Sequence, residues 1–202
     1  MAAPSKTQGT SVLSLQSVAT AAVVLSSAID VSTKFGGTMF VHFGRRAATA
    51  LTAGCRFRIE ASSKSSADGH WYPLYEWVSA IAASETEAAT GTNASGQAVI
   101  TVASTTNLVA GDKIFIDNTT IGNSEWGRIK SIVANTSVTL EDNLVNAQDS
   151  GAATIYDQAE WWAVPLDLTA VGRIRLVADT ATGPTGQNVA VEATLVTFDS
   201  VA

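Results

Sequence analysis

Cysteine is almost absent from this sequence: Cys55 is the single one in 202 residues. One thiol excludes an internal disulfide framework and a zinc site built on cysteines. Charge is scarce too, at 15% of residues, where soluble domains usually carry about 25%. The balance is acidic, with net charge −6 and a pI near 4.8. Nucleic-acid surfaces need clustered Lys and Arg, so nucleic acid is not an expected partner. No apolar run approaches the ~20 residues of a membrane span, and no membrane partner is expected. Residues 18–25 (VATAAVVL) have the apolarity of a weak export signal, but only Lys6 precedes them. They read as a strand of the mature protein.

Catalytic patterns are missing as well. His42 and His70 are the two histidines, and neither sits in a ligand-spaced motif, so no metal is expected. There is no Gly-x-Ser-x-Gly elbow to anchor a hydrolase triad. Residues 91–96 (GTNASG) lack the strand-to-helix context of a phosphate loop. Asp112, Asp117, Glu141 and Asp142 lie in or beside turns, where carboxylates bond to nearby backbone, and lack calcium-loop spacing. The chain is expected to be no enzyme and to hold no cofactor.

What is present is period-two alternation. In residues 55–62, Cys55, Phe57, Ile59 and Ala61 point one way, and Arg56, Arg58 and Glu60 the other. In residues 38–45, Met39, Val41 and Phe43 share a face opposite Phe40 and His42. This split marks half-buried antiparallel strands. Further candidates are residues 12–15, 22–25, 70–78, 158–168, 173–178 and 189–198. Pro165 cannot donate to a ladder, which places the strand around it at an edge or a bulge. No stretch has a convincing helical period. The expected fold is all-β, a β-sandwich or jelly roll.

A second set of strands lies inside the first. Residues 99–144 alternate in short runs broken by Gly, Asn and Asp, with Ile114 and Ile116 on one face. Polar, low-complexity stretches flank them, residues 83–97 and 146–153, and read as linkers. The expected organisation is a flexible arm at residues 1–10 and a sandwich from residues 11–83 and 154–202. Residues 84–153 form a small inserted β-barrel-like domain with its linkers.

The positive signal for a binding surface is aromatic. Trp71, Tyr72, Tyr75 and Trp77 cluster, and Trp161 and Trp162 follow the insertion. Exposed Trp and Tyr anchor interfaces and also stack on sugars. Core packing should claim about half of them, because alternation sends Trp161 and Trp162 to opposite faces. Arg56 and Arg58, with Arg173 and Arg175, form paired basic strand faces suited to cross-strand ion pairs or a subunit contact. Candidate interface residues are therefore Trp71, Tyr72, Tyr75, Trp77, Trp161, Arg56 and Arg58.

Three segments resemble a small β module of tailed-bacteriophage structural proteins: ITVASTTNLVAGDKIFIDN (100–118), SEWGRIKSI (124–132) and TSVTLEDNL (136–144). CRFRIEASSKSSADGHWYPL (55–74) and RIRLVADTATGPTGQNVAVEATLVT (173–197) are similar to the sandwich body of such virion proteins. The resemblance implies a non-enzymatic virion protein assembled in the host cytoplasm. Its first implied role is capsid decoration, or cement, bracing the major capsid protein as a homo-oligomer, a trimer or dimer. A tail, head–tail connector or spike component is the alternative within virions. A carbohydrate-binding module is the alternative outside them.

Overall fold

The computed structural model describes residues 6–19, 22–66, 70–180 and 188–199. The described residues form fifteen strands: β1 (Lys6–Ala19), β2 (Val23–Leu25), β3 (Ile29–Asp30), β4 (Lys34–Arg45), β5 (Arg56–Ser62), β6 (Tyr72–Val78), β7 (Thr86–Ala88), β8 (Val99–Thr101), β9 (Lys113–Asn118), β10 (Glu125–Val133), β11 (Ser137–Leu140), β12 (Ala153–Tyr156), β13 (Glu160–Asp167), β14 (Arg173–Asp179) and β15 (Asn188–Asp199). The alternation in β4 and β5 decides which side is buried. Met39, Val41, Phe43, Phe57 and Ile59 are fully buried in one core, and Cys55 and Ala61 join them.

That core lies between two antiparallel sheets, ordered β1-β15-β4-β13 and β2-β14-β5-β6, with β3 also on β14. Counting only these outer strands, and taking β2 and β3 as one, the first lies beside the eighth, then the third and the sixth. The second lies beside the seventh, then the fourth and the fifth. This interleaved order is that of a jelly roll. Pro165 sits on β13 at a sheet edge, opposite Thr38, where its missing N–H costs no ladder bond. Trp161 and Trp162 take opposite faces. Trp162 enters the core against Phe57, with ring centroids 5.2 Å apart.

The arm expected at residues 1–10 is corrected for its second half. Residues 6–10 open β1 and pair with β15, with Lys6 opposite Phe198 and Thr10 opposite Leu195. Register shifts along this pair blur the alternation that would have marked a strand. Residues 1–5 lie outside the described residues.

Between β6 and β13 the chain makes six strands ordered β7-β12-β9-β10-β11-β8. A bridge between Ala89 and Val102, and the bond from Thr90 N–H to Thr101 O at 2.8 Å, join the two ends. The sheet thus curls into a small barrel around Ile100, Ile114, Ile116, Ile129, Val138 and Ile155. The polar flanks read as linkers are built into it. Strand β7 arises from the first flank, and β12 continues from the second. Asn93 and Gln148 are buried inside. Asn93 Nδ2 donates to the carbonyls of Thr90 and Gln148, and its Oδ1 accepts from Thr101 N–H at 2.8 Å. Gln148 Nε2 donates to Asn123 O and Glu125 Oε1, and its Oε1 accepts from Asn118 Nδ2. Every one of these amide groups has a partner, which makes their burial tolerable.

Candidate functional site

Strand β6 carries most of the aromatic run, and its position sets what those residues can do. It is the outer edge of its sheet. Trp77, opposite Phe57, turns into the core, stacks on Phe57 at 5.6 Å and meets Trp162 edge-on at 5.6 Å. Tyr72 and Tyr75 share the inward side but are 61% and 42% exposed. Leu74 falls where the β5–β6 register shifts, and it stays exposed, as do Val78 and Ile81 beyond it. These exposed side chains are divided between surfaces: Tyr72 and Tyr75 lie on the side of Ala61 and Ile59, Val78 lies opposite Arg56 on the other side, and Ile81 follows the end of the strand.

Trp71 serves a different purpose. The guanidinium groups of Arg173 and Arg175 lie 5.3 and 4.3 Å from its ring centroid, in cation–π contact. Arg175 also reaches Glu60, with Nη2 2.7 Å from Oε2. Arg58 approaches the same carboxylate at 3.7 Å, and Arg56 pairs with Glu76 at 3.6 Å. Arg56, Arg58 and Arg175 are thus engaged in ion pairs, while Arg173 donates to the Lys64 carbonyl at 2.9 Å. Glu60 can be buried because two arginines face it.

Trp161 belongs to a second surface, the outer face of the β1-β15-β4-β13 sheet, where the barrel docks. Lys113 of β9 lies over its ring at 5.6 Å, and His42 meets it edge-on at 5.6 Å. Phe115, fully buried, projects from the barrel into a cluster with Ala159, Ala190, Leu15, Trp126 and Tyr156. Gly44 gives it room: a Cβ there would lie 2.7 Å from both Phe115 and Trp126. Trp126 Nε1 donates to Glu192 Oε2 at 2.7 Å, and His42 Nδ1 lies 3.7 Å from the same oxygen. The His42 imidazole, and then the indole N–H, hold the Glu192 carboxyl below its ordinary value against the opposing effect of burial.

The arginine doublet at the end of β4 divides its work. Arg45, buried, donates to the carbonyls of Ala82 and Thr49. Arg46 reaches across to the barrel and pairs with Asp117 at 2.9 Å. None of this junction was assigned from the sequence, although Phe115 offered a signal: it interrupts the alternation between two inward isoleucines.

The remaining reactive groups have structural partners. The Asp157 carboxylate, in the cleft beside Lys113, accepts from Glu85 N–H, Gln158 N–H and the Ser84 hydroxyl. The buried Cys55 thiol is pushed up to about 11, chiefly by desolvation. His42 and His70 do not converge with carboxylates on a metal site, and no group of three or more metal-ligating side chains occurs among the described residues.

Net charge and exposed aromatic side chains are segregated. Residues 84–157 hold nine acidic and three basic side chains, a net charge of −6, and the rest of the chain holds nine of each. The exposed aromatics Phe35, Phe40, Tyr72, Tyr75 and Phe198 all belong to the jelly roll, while the large exposed hydrophobics of the barrel are valines.

The sequence matches no protein-family model and no curated protein. Among solved structures the chain is similar to one in infectious bursal disease virus, Gt strain, with TM-score 0.26 and 11% identity over 97% of this chain. It spans 42% of that chain's length. It is also similar to VP17, a capsid protein of bacteriophage P23-77, with TM-score 0.19 and 12% identity over 98% of this chain and 100% of that one. Superpositions this loose carry no argument about function.

Proposed function

We propose that this chain is a non-enzymatic structural protein of a virion, a capsid decoration or cement protein that braces the major capsid protein. The observation that carries this reading is the segregation of net charge from exposed aromatic side chains. The jelly roll has no net charge and bears all five exposed Tyr and Phe side chains described above. Such a surface loses apolar area to a neighbour at little electrostatic cost. The barrel carries the whole net charge of −6, which favours contact with water. The jelly roll is the assembling unit and the barrel is the solvent-facing one. Phe115, Trp126 and the Arg46–Asp117 pair fix the barrel's angle on it.

The resemblance of residues 100–118, 124–132 and 136–144 to a phage virion module supports the same reading, since those segments contain β8, β9, β10 and β11. The test compares heated or expanded particles that carry the chain with particles stripped of it. Cement activity requires the stripped particles to lose their contents at lower temperature, and adding the protein back to restore them. Exposed Tyr72 and Tyr75 suit a glycan-binding module as well. Unchanged particle stability, together with glycan retention that those tyrosines control, would establish that role and sink the cement one.

A further inference from the structure

Exposed aromatic rings gather toward one end of the jelly roll, the end remote from the barrel. We infer that this end is the tip that contacts the major capsid protein. The inference rests on the cement reading and adds to it the place of contact.

Strand register fixes the two ends. At one, Arg46 follows β4 and pairs with Asp117 of the barrel. There the chain leaves β6 at Val78 for the barrel and returns to β13 at Glu160, opposite Phe43. At the other, β4 begins: Lys34 lies opposite Asp199, and Gly36 lies between Phe198 and Asp167. In the second sheet this end holds Ser62, paired with Arg173, and Tyr72 at the start of β6. The twelve residues of β4 span the two ends, a distance of roughly 40 Å.

Phe35, Tyr72 and Phe198 lie at the remote end and are 55%, 61% and 42% exposed. Phe40 and Tyr75 lie midway along their strands, so none of the five exposed aromatics marks the barrel end. A hollow of about 330 Å³ opens beside Phe35, between the turns at Ser32–Thr33 and Thr169–Ala170. Backbone bonds brace both turns: Lys34 N–H to Val31 O, Val171 N–H to Leu168 O, and Leu168 N–H to Phe35 O. A hollow braced in this way exists before a partner arrives, so a side chain entering it orders little of this chain. The occupant is the capsid protein because contact here leaves the acidic barrel in solvent. The barrel's charge of −6 also lies several screening lengths from the contact.

The experiment measures co-sedimentation of the purified full chain with stripped particles. Phe35→Ser and Tyr72→Ser alter the tip, and Val133→Ser alters the barrel as a control. All three side chains are more than half exposed, and circular dichroism confirms that each variant is folded. Each tip variant should bind at least tenfold more weakly, while the barrel variant binds as wild type does. A benzophenone carried on Thr33→Cys should cross-link to the major capsid protein, since Cys55 is buried. Wild-type binding that neither tip variant weakens, or cross-linking to a second copy of this chain instead, would overturn the tip contact and leave the cement reading standing. A wild type that does not bind stripped particles would remove both.

Discussion

Replacing Phe115 by Ala should uncouple the barrel from the jelly roll while sparing both cores. The side chain is fully buried, yet its neighbours Ile114 and Ile116 point into the barrel and Phe115 points out of it. Truncating a buried Phe typically costs 3–5 kcal/mol, according to how far the site collapses. The Trp126 ring, 4.6 Å away by centroids, can settle into part of the space, which places the cost near the lower bound, about 3 kcal/mol. For a chain of this size that corresponds to a fall in Tm of roughly 6–12 °C if unfolding remains one transition. Because the loss lies at the junction, the variant should instead begin to melt in two steps. Calorimetry gives the number of steps, and Trp126 fluorescence reports the junction. A single transition moved by less than about 2 °C would refute a packed junction, since a buried ring cannot be deleted so cheaply.

Three further outcomes follow from the same geometry. Gly44→Ala forces a Cβ to within 2.7 Å of Phe115 Cβ and Trp126 Cζ3, and should cost about 1–3 kcal/mol by chemical denaturation. Glu192→Gln should destabilise by roughly 1–2 kcal/mol at neutral pH, because a charge-assisted bond from Trp126 becomes a neutral one. The folded pKa of Glu192 is depressed, so its contribution is present above its ordinary value of 4.5 and is lost as pH falls through the folded value. The stability gap between wild type and variant should therefore close in acid, and a gap that widens there would contradict the assignment. Cys55, buried with its thiol pushed to about 11, should react with thiol reagents only at the rate of opening of the jelly-roll core.

Much of this fold was legible, and the reasons are local. Alternation in β4 and β5 identified the inward residues because one face of each strand enters the jelly-roll core and the other does not. The inserted strands were legible because Asn- and Gly-rich turns punctuate them. Three features were hidden for distinct physical reasons. Asn93 and Gln148 look like linker residues because composition registers polarity, whereas burial depends on partners such as Thr101 and Glu125 that come from distant strands. Residues 6–10 lack large apolar side chains, and their strand exists through pairing with β15. The jelly-roll order rests on pairings such as β1 with β15, more than 150 residues apart, which periodicity cannot reveal. The candidate surface was read in part. Tyr72 and Tyr75 lie open on an edge, Trp77 serves the core, Trp161 serves the junction, and Trp71 supports two arginines.

The central claim is that this chain coats a particle with its jelly roll bound and its barrel outward. Quantitative mass spectrometry of purified particles tests it most directly, with protease treatment of the intact particles before digestion. A copy number comparable to that of the major capsid protein is predicted, with cleavage confined to the barrel's exposed turns, such as those holding Val109 and Val145. Absence from the particles, a handful of copies per particle, or cleavage at the β6 edge ahead of the barrel would contradict it.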